Sequence, residues 1–275
     1  MNDPSPKSRL PTYILIAVLS LVAVGAAWYF RPAPIESGAG LLVSSAAYSV
    51  KFENFGILFM PSTPFGDGLI FYPGAHIPPE AYAWLGAGLA AKGHPVYIAR
   101  FPLNFAIIAP WRADAIRKAH PEIAHWAIGG HSLGGSMAAA YARDHQSALT
   151  ALILLAALPP KSIDLSSMGL RTLLISASED SFIPDKKIAA AERFLPVSLK
   201  HVVIQGGNHG QFGEYGMQKG DGKASLEGSR QRAMALDAVI GFLDKVEAGQ
   251  GGAGAILQNA PPSSPPTSPV ELPTP

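Results

Sequence analysis

No cysteine occurs among the 275 residues of this chain. Its absence excludes disulfide frameworks, Cys-ligated zinc, iron–sulfur clusters, thiol nucleophiles and lipid attachment through sulfur. Charge is also scarce, at 15% of residues, and neither sign dominates, with 21 basic against 20 acidic side chains. A nucleic-acid footprint needs a basic excess, so no nucleic-acid partner is expected. The phosphate loop G-x-x-x-x-G-K-[ST] is missing, as is H-E-x-x-H or any comparable metal spacing among the 8 histidines. Neither a metal nor another cofactor is expected. What is abundant is apolar residues, 48% of the total, which excludes a mainly disordered chain.

Those residues are unevenly spread. Residues 12–30, TYILIAVLSLVAVGAAWYF, contain no charge. As a helix they would rise about 28 Å, close to the thickness of a bilayer core. Lys7 and Arg9 precede the run, and Trp28 and Tyr29 lie at its far end, where an interfacial aromatic belt belongs. The run reads as an uncleaved transmembrane anchor following an N-terminal flank, 1–11. The competing reading is a signal peptide cut at small residues such as Ala23, Gly25, Ala26 and Ala27, giving a secreted protein. A soluble helix is a third, weaker reading. Arg31 alone lies close on the far side, so the positive-inside rule puts the remainder outside the cytoplasm. Residues 31–46 read as a linker. Residues 249–275 are rich in Gly and Pro with Glu271 as their only charge, and read as a disordered tail with polyproline II character. The segment between anchor and tail carries equal numbers of basic and acidic residues.

Across 47–248 short apolar runs alternate with Ala-rich stretches. Strands are expected at 55–60, 69–72, 95–99, 126–129, 151–157, 172–177 and 201–205. Helices are expected at 79–92, 110–119, 135–145, 185–194 and 226–247. Several of the runs are apolar without alternation, as strands buried on both faces are. The alternation predicts an α/β fold with a mainly parallel central sheet and helices on both faces.

One motif carries chemistry. Gly130-His131-Ser132-Leu133-Gly134 is G-x-S-x-G between an apolar strand and an Ala-rich helix, which is the setting of a nucleophile elbow. A turn that tight strains the serine backbone and leaves no room for side chains two residues away, hence the two glycines. Serine needs a base, and the base needs an orienting acid. The acid is sought after the strand at 172–177, where Glu179 and Asp180 compete. The base is sought after the strand at 201–205, where Asn208-His209-Gly210 stands. Both loops and Ser132 fall at strand C-terminal ends, the edge where open α/β sheets build sites.

With these motifs the chain resembles the α/β-hydrolase superfamily over about 47–248. The resemblance rests on Leu69-Ile70-Phe71-Tyr72-Pro73-Gly74-Ala75, on Gly130–Gly135, on Asp180-Ser181-Phe182-Ile183-Pro184 and on Gly207-Asn208-His209. It implies an α/β-hydrolase fold with Ser132 as nucleophile, His209 as general base and then acid, and Asp180, rather than Glu179, as orienter. It implies an oxyanion hole from the backbone N–H of Leu133 and that of Ala75, with Gly74 as second choice for the latter. Pro73 stands where the family commonly has His. The overall look is similar to the small dienelactone-hydrolase-like members, but those use Cys as nucleophile and this chain has none.

Family members often insert a helical cap after the strand ending here near Ala157. Only about fourteen residues, with Pro159 and Pro160, precede the next strand. No cap domain is expected, and the site should be open and shallow. Candidate pocket residues are His131, His76, Asn104, Gln211 and Phe212. The expected activity is cleavage of an ester, or a thioester or amide, through an acyl-enzyme. The substrate would be a small-molecule or lipid-like acyl compound. The alternatives are an acyltransferase and a non-catalytic, membrane-tethered binding protein on the same scaffold.

Overall fold

Side chains alternate in direction along a strand, so a strand covered on both sides must be apolar at every position. The computed structural model describes residues 10–35 and 39–258. Helix α1 (Leu10–Tyr29) comes first. An alternating series follows: β1 (Tyr48–Glu53), β2 (Gly56–Pro61), β3 (Gly68–Tyr72), α2 (Ala83–Ala90), β4 (Val96–Ala99), α3 (Arg112–Ala119), β5 (Trp126–His131) and α4 (Leu133–His145). The series closes with β6 (Ala151–Leu155), β7 (Arg171–Ala177), α5 (Asp185–Ala191), β8 (Leu199–Ile204) and α6 (Gly228–Gln258). The sheet has 8 strands in the order β1-β2-β4-β3-β5-β6-β7-β8. From β4 to β8 every pairing is parallel, while β1–β2 and β2–β4 are antiparallel.

Strand alternation sorts the core into two layers. Phe59, Leu69, Phe71, Ile98, Ile153 and Leu173 face α2 and α6. Leu58, Ile70, Tyr97, Ile128, Leu152 and Leu174 face α3, α4 and α5. The helices thus cover both faces, as the apolar runs require.

The seven expected strands are present. β1 is an addition: its sequence, YSVKFE, mixes charge into a half-exposed edge strand and so lacks the apolar signal. Among the described residues no helix lies between Leu155 and Arg171. The expected loose tail differs in its start, because α6 continues ten residues past 248 to Gln258. Ala253, Ala255 and Leu257 favour helix, and the first proline after them is Pro261. Residues 259–275 lie outside the described residues, as do 1–9 and 36–38.

The described side chains of α1 are exposed, Leu15, Leu19, Leu21 and Val24 among them. Among the described residues no helix is long and apolar enough to cross a membrane.

Candidate active site

β5 ends at His131 and α4 begins at Leu133, so Ser132 alone turns the chain. It does so at φ 51° and ψ −125°, outside the wells of ordinary L residues. Its surroundings hold it there. The Ser132 N–H donates to the Leu155 carbonyl at 3.1 Å, and its own carbonyl accepts the Ser136 N–H at 3.0 Å. The two glycines are required by backbone, not by side chains. A Cβ on Gly130 would lie 2.6 Å from backbone atoms of Gly134, Gly135 and Tyr72. One on Gly134 would lie 2.2 Å from the carbonyl oxygens of Tyr72 and Pro73.

The residues expected as acid and base sit in the loops after β7 and β8. Asp180 and His209 are both buried, and Asp180 Oδ2 accepts a hydrogen bond from His209 Nδ1 at 2.8 Å. The other oxygen, Oδ1, accepts the N–H groups of Phe182 and Ile183 at 2.7 and 2.8 Å. A carboxylate only accepts, so His209 carries its proton on Nδ1 and leaves Nε2 free as a base. Phe182 packs edge-on to the His209 ring at 5.1 Å. Glu179, the competing acid, is exposed and accepts from the neighbouring Ser178 hydroxyl. Ser132 is half-buried, and the ring of its neighbour His131 lies 4.7 Å from the His209 ring.

The expected oxyanion loop follows β3. The Gly74 N–H is already used, donating to the Tyr82 hydroxyl at 3.1 Å. That occupies the second-choice donor and leaves Ala75 as the expected one. Tyr82 belongs to a buried chain. Its hydroxyl lies 2.8 Å from His131 Nδ1, and His131 Nε2 lies 3.1 Å from the His209 carbonyl. The Gly74 N–H donates to Tyr82, and His131 Nε2 donates to the His209 carbonyl. Burial, and then the nearby His209, hold the His131 pKa well below the ordinary histidine value, which leaves the ring neutral and makes the Tyr82 hydroxyl the donor to Nδ1. Burial likewise raises the Tyr82 hydroxyl.

His131 and Phe212 are fully buried, so both back the site rather than line an open pocket. The expectation fails for them because His131 is claimed by Tyr82 and His209, and Phe212 by the core beneath α2. Gln211 does line a cleft, of about 720 Å³, beside the His209 loop. His76 lines another of about 340 Å³, next to Ala75. Asn104 contributes backbone: its carbonyl accepts the His76 N–H at 2.9 Å. Two residues escaped the sequence reading. Tyr82 is one. The other is Asp221, whose carboxylate accepts the Gly210 and Gly222 N–H groups at 2.8 Å each, pinning the base loop. No motif marks either: the His131 partner of Tyr82 is 49 residues away, and Asp221 bonds Gly210 and Gly222 through their backbone alone. Among the described residues no group of three or more metal-ligating side chains comes together.

Residues 68–233 match the alpha/beta hydrolase family, and the chain belongs to that family. It is a hydrolase enzyme by that membership. In solved structures it is similar to a predicted CIB-like hydrolase from Thermoplasma acidophilum, at 14% identity and TM-score 0.55, covering 70% of this chain and 98% of that one. This likeness is one of fold. An alpha/beta hydrolase from a lagoon-sediment metagenome of Mar Chica, Morocco, matches at 16% identity and TM-score 0.47, covering 59% of this chain and 90% of that one. A thermophilic esterase from Thermogutta terrifontis matches at 15% and 0.48, covering 72% and 94%. No curated protein matches the chain.

Removing the Tyr82 hydroxyl should uncouple the oxyanion loop from the base loop. In Tyr82→Phe, kcat should fall about 10–100-fold with KM little changed, short of the loss of a whole oxyanion donor. Steady-state kinetics on a soluble ester checks this, and the acid limb of the pH–rate profile should not move. His131 gives a second expectation. Its folded pKa is depressed, so its contribution to stability is complete above about pH 6.5 and is lost as pH falls below that value. Urea unfolding at pH 7.5 and pH 5 should register the loss, and His131→Gln should reduce it.

Proposed function

We propose that this hydrolase is a serine esterase working through an acyl-enzyme, with Ser132 as nucleophile, His209 as base and Asp180 as orienter. The observation that carries this reading is the left-handed Ser132 at the head of α4, φ 51°, on the same sheet edge as the Asp180–His209 hydrogen bond of 2.8 Å. Ser132 Oγ attacks the ester carbonyl carbon while its proton passes to His209 Nε2. Asp180 stabilises the imidazolium and does not take the proton. Charge on the carbonyl oxygen falls to the N–H groups of Leu133 and Ala75. Such a donor is worth about 2.7–4 kcal/mol in the transition state. Collapse expels the alkoxide, which takes the proton from His209. Water then repeats the sequence and releases the acid. An ester suits this site best, because its alkoxide leaving group asks least of the general acid.

The same reading places residues 12–30 in a membrane as a single-pass anchor, with the catalytic domain outside the cytoplasm. Its support is the uncharged run itself and the exposure of the apolar side chains of α1. With no helix between Leu155 and Arg171 and Ser132 half-buried, the site is capless and suits a bulky or lipid-like acyl substrate.

A fluorophosphonate probe should label the wild-type protein and leave Ser132→Ala unlabelled. p-Nitrophenyl esters of increasing chain length should be cleaved only by the former. Labelling that survives in Ser132→Ala, or none in the wild type, overturns the mechanism. For the anchor, the mature protein should retain its N-terminal residues and float with membranes. An N-terminus beyond residue 27 decides for a cleaved signal peptide.

A further inference from the structure

The segment between β4 and α3, FPLNFAIIAPW at 101–111, has no ionisable residue. Phe101, Ala106 and Ala109 turn inward and are buried. Leu103, Ile107, Ile108 and Trp111 turn outward and are 43–63% exposed. Scattered single apolar residues on a surface mean nothing, but four within nine positions form a patch. Trp is the residue that favours the boundary between water and hydrocarbon. The backbone is strained to present them, with Leu103 and Asn104 both at φ 54°.

This patch is continuous with the end of α1. Phe105 packs on Phe30 at 5.8 Å and on His76 at 4.5 Å, and His76 meets the Tyr29 ring at 5.2 Å. Two backbone hydrogen bonds join the three segments, from Ala33 N–H to the His76 carbonyl and from His76 N–H to the Asn104 carbonyl, each 2.9 Å. His76 itself sits at φ 62° and directly follows Ala75. An uncovered apolar helix, an uncovered apolar patch and the oxyanion loop are therefore parts of one assembly.

We propose that residues 101–111 form a membrane-contacting surface that seats the mouth of the active site against a lipid surface. The occupant is a bilayer and not a soluble partner, because α1 and the patch are contiguous and neither carries charge for a protein to pair with. Substrate then reaches Ala75 and Ser132 from the lipid phase, as a long-chain acyl ester. The proposal rests on the esterase and anchor readings above.

Intrinsic fluorescence of the full-length Trp28→Phe variant, reconstituted in phosphatidylcholine vesicles with brominated acyl chains, tests it. Trp84 and Trp126 are buried, leaving Trp111 as the exposed reporter. Emission should fall relative to unbrominated vesicles, and the fall should vanish when Trp111→Phe is added. Protein that floats with the vesicles yet shows no quenching overturns the surface, as does a dimer that covers the patch. Protein that does not float overturns both the surface and the anchor. The double variant Ile107→Asp, Ile108→Asp should turn over a long-chain ester in vesicles about 10-fold more slowly, as interfacial binding follows buried apolar area. Its hydrolysis of soluble p-nitrophenyl acetate should be unchanged. Equal loss on both substrates, or on neither, overturns the proposal. A wild type inactive on p-nitrophenyl acetate sinks the esterase reading while the quenching result still decides the surface.

Discussion

Everything at the site hangs on one close approach, that of the start of α4 to the end of β3. The Gly134 backbone is pressed so near the carbonyl oxygens of Tyr72 and Pro73 that a Cβ would sit 2.2 Å from them. That contact fixes where α4 can begin. With β5 pinned by its parallel pairing to β3 and β6, only Ser132 is left to absorb the mismatch in direction. Its left-handed backbone is the consequence, and it points the side chain out of the sheet. The same contact brings the head of α4 beside the loop 73–76, so two backbone donors from different elements can face one oxygen. On the proposed reading, nucleophile and oxyanion hole are thus one packing solution, not two.

The proposed acid and base are set by a different physics, saturation of a carboxylate. Asp180 is buried, and an ionised carboxylate in such a place must have its lone pairs filled. Two backbone N–H groups fill Oδ1 and His209 fills Oδ2. The base is therefore held by an acid that cannot rotate away without breaking its own turn. Asp221 repeats the device one layer out, gathering the backbone N–H groups of the base loop.

Much of this was legible in the sequence, and the reason is local chemistry. Strands buried on both faces have to be apolar throughout, so runs such as ALILL at β6 announce themselves. The elbow announces itself because two glycines and a serine are dictated by neighbours within four residues. The loops of the Asp180–His209 pair are legible because each follows a recognisable strand. What stayed hidden has partners far along the chain. Tyr82 bonds His131 at a separation of 49 residues, and nothing near Tyr82 marks it. His131 adjoins Ser132 in sequence, yet strand alternation turns it inward and buries it. β1 was missed because an edge strand needs no apolar run, and α6 outran its expected end because glycine lowers helix propensity without forbidding helix.

The oxyanion loop is held from two sides by unlike means. On the inner side the Gly74 N–H is tied to Tyr82, and through His131 to the carbonyl of His209, in a chain with no access to water. Such a chain cannot trade its bonds for solvent, so breaking any one member leaves a buried group unpaired. On the outer side His76 is tied to Ala33 and Asn104 by backbone bonds near the surface. Those bonds depend on whatever fixes the end of α1 and the 101–111 segment. The inner tie gives the loop its geometry in every state of the protein. The outer tie gives its position only as good a definition as the surroundings of α1 and the apolar patch provide. Ala75 lies between the two, next to the residue that the outer tie holds. A donor placed there is aimed by the core and steadied by the surface, which is why the chemistry and the apolar exterior of this hydrolase belong to the same piece of structure.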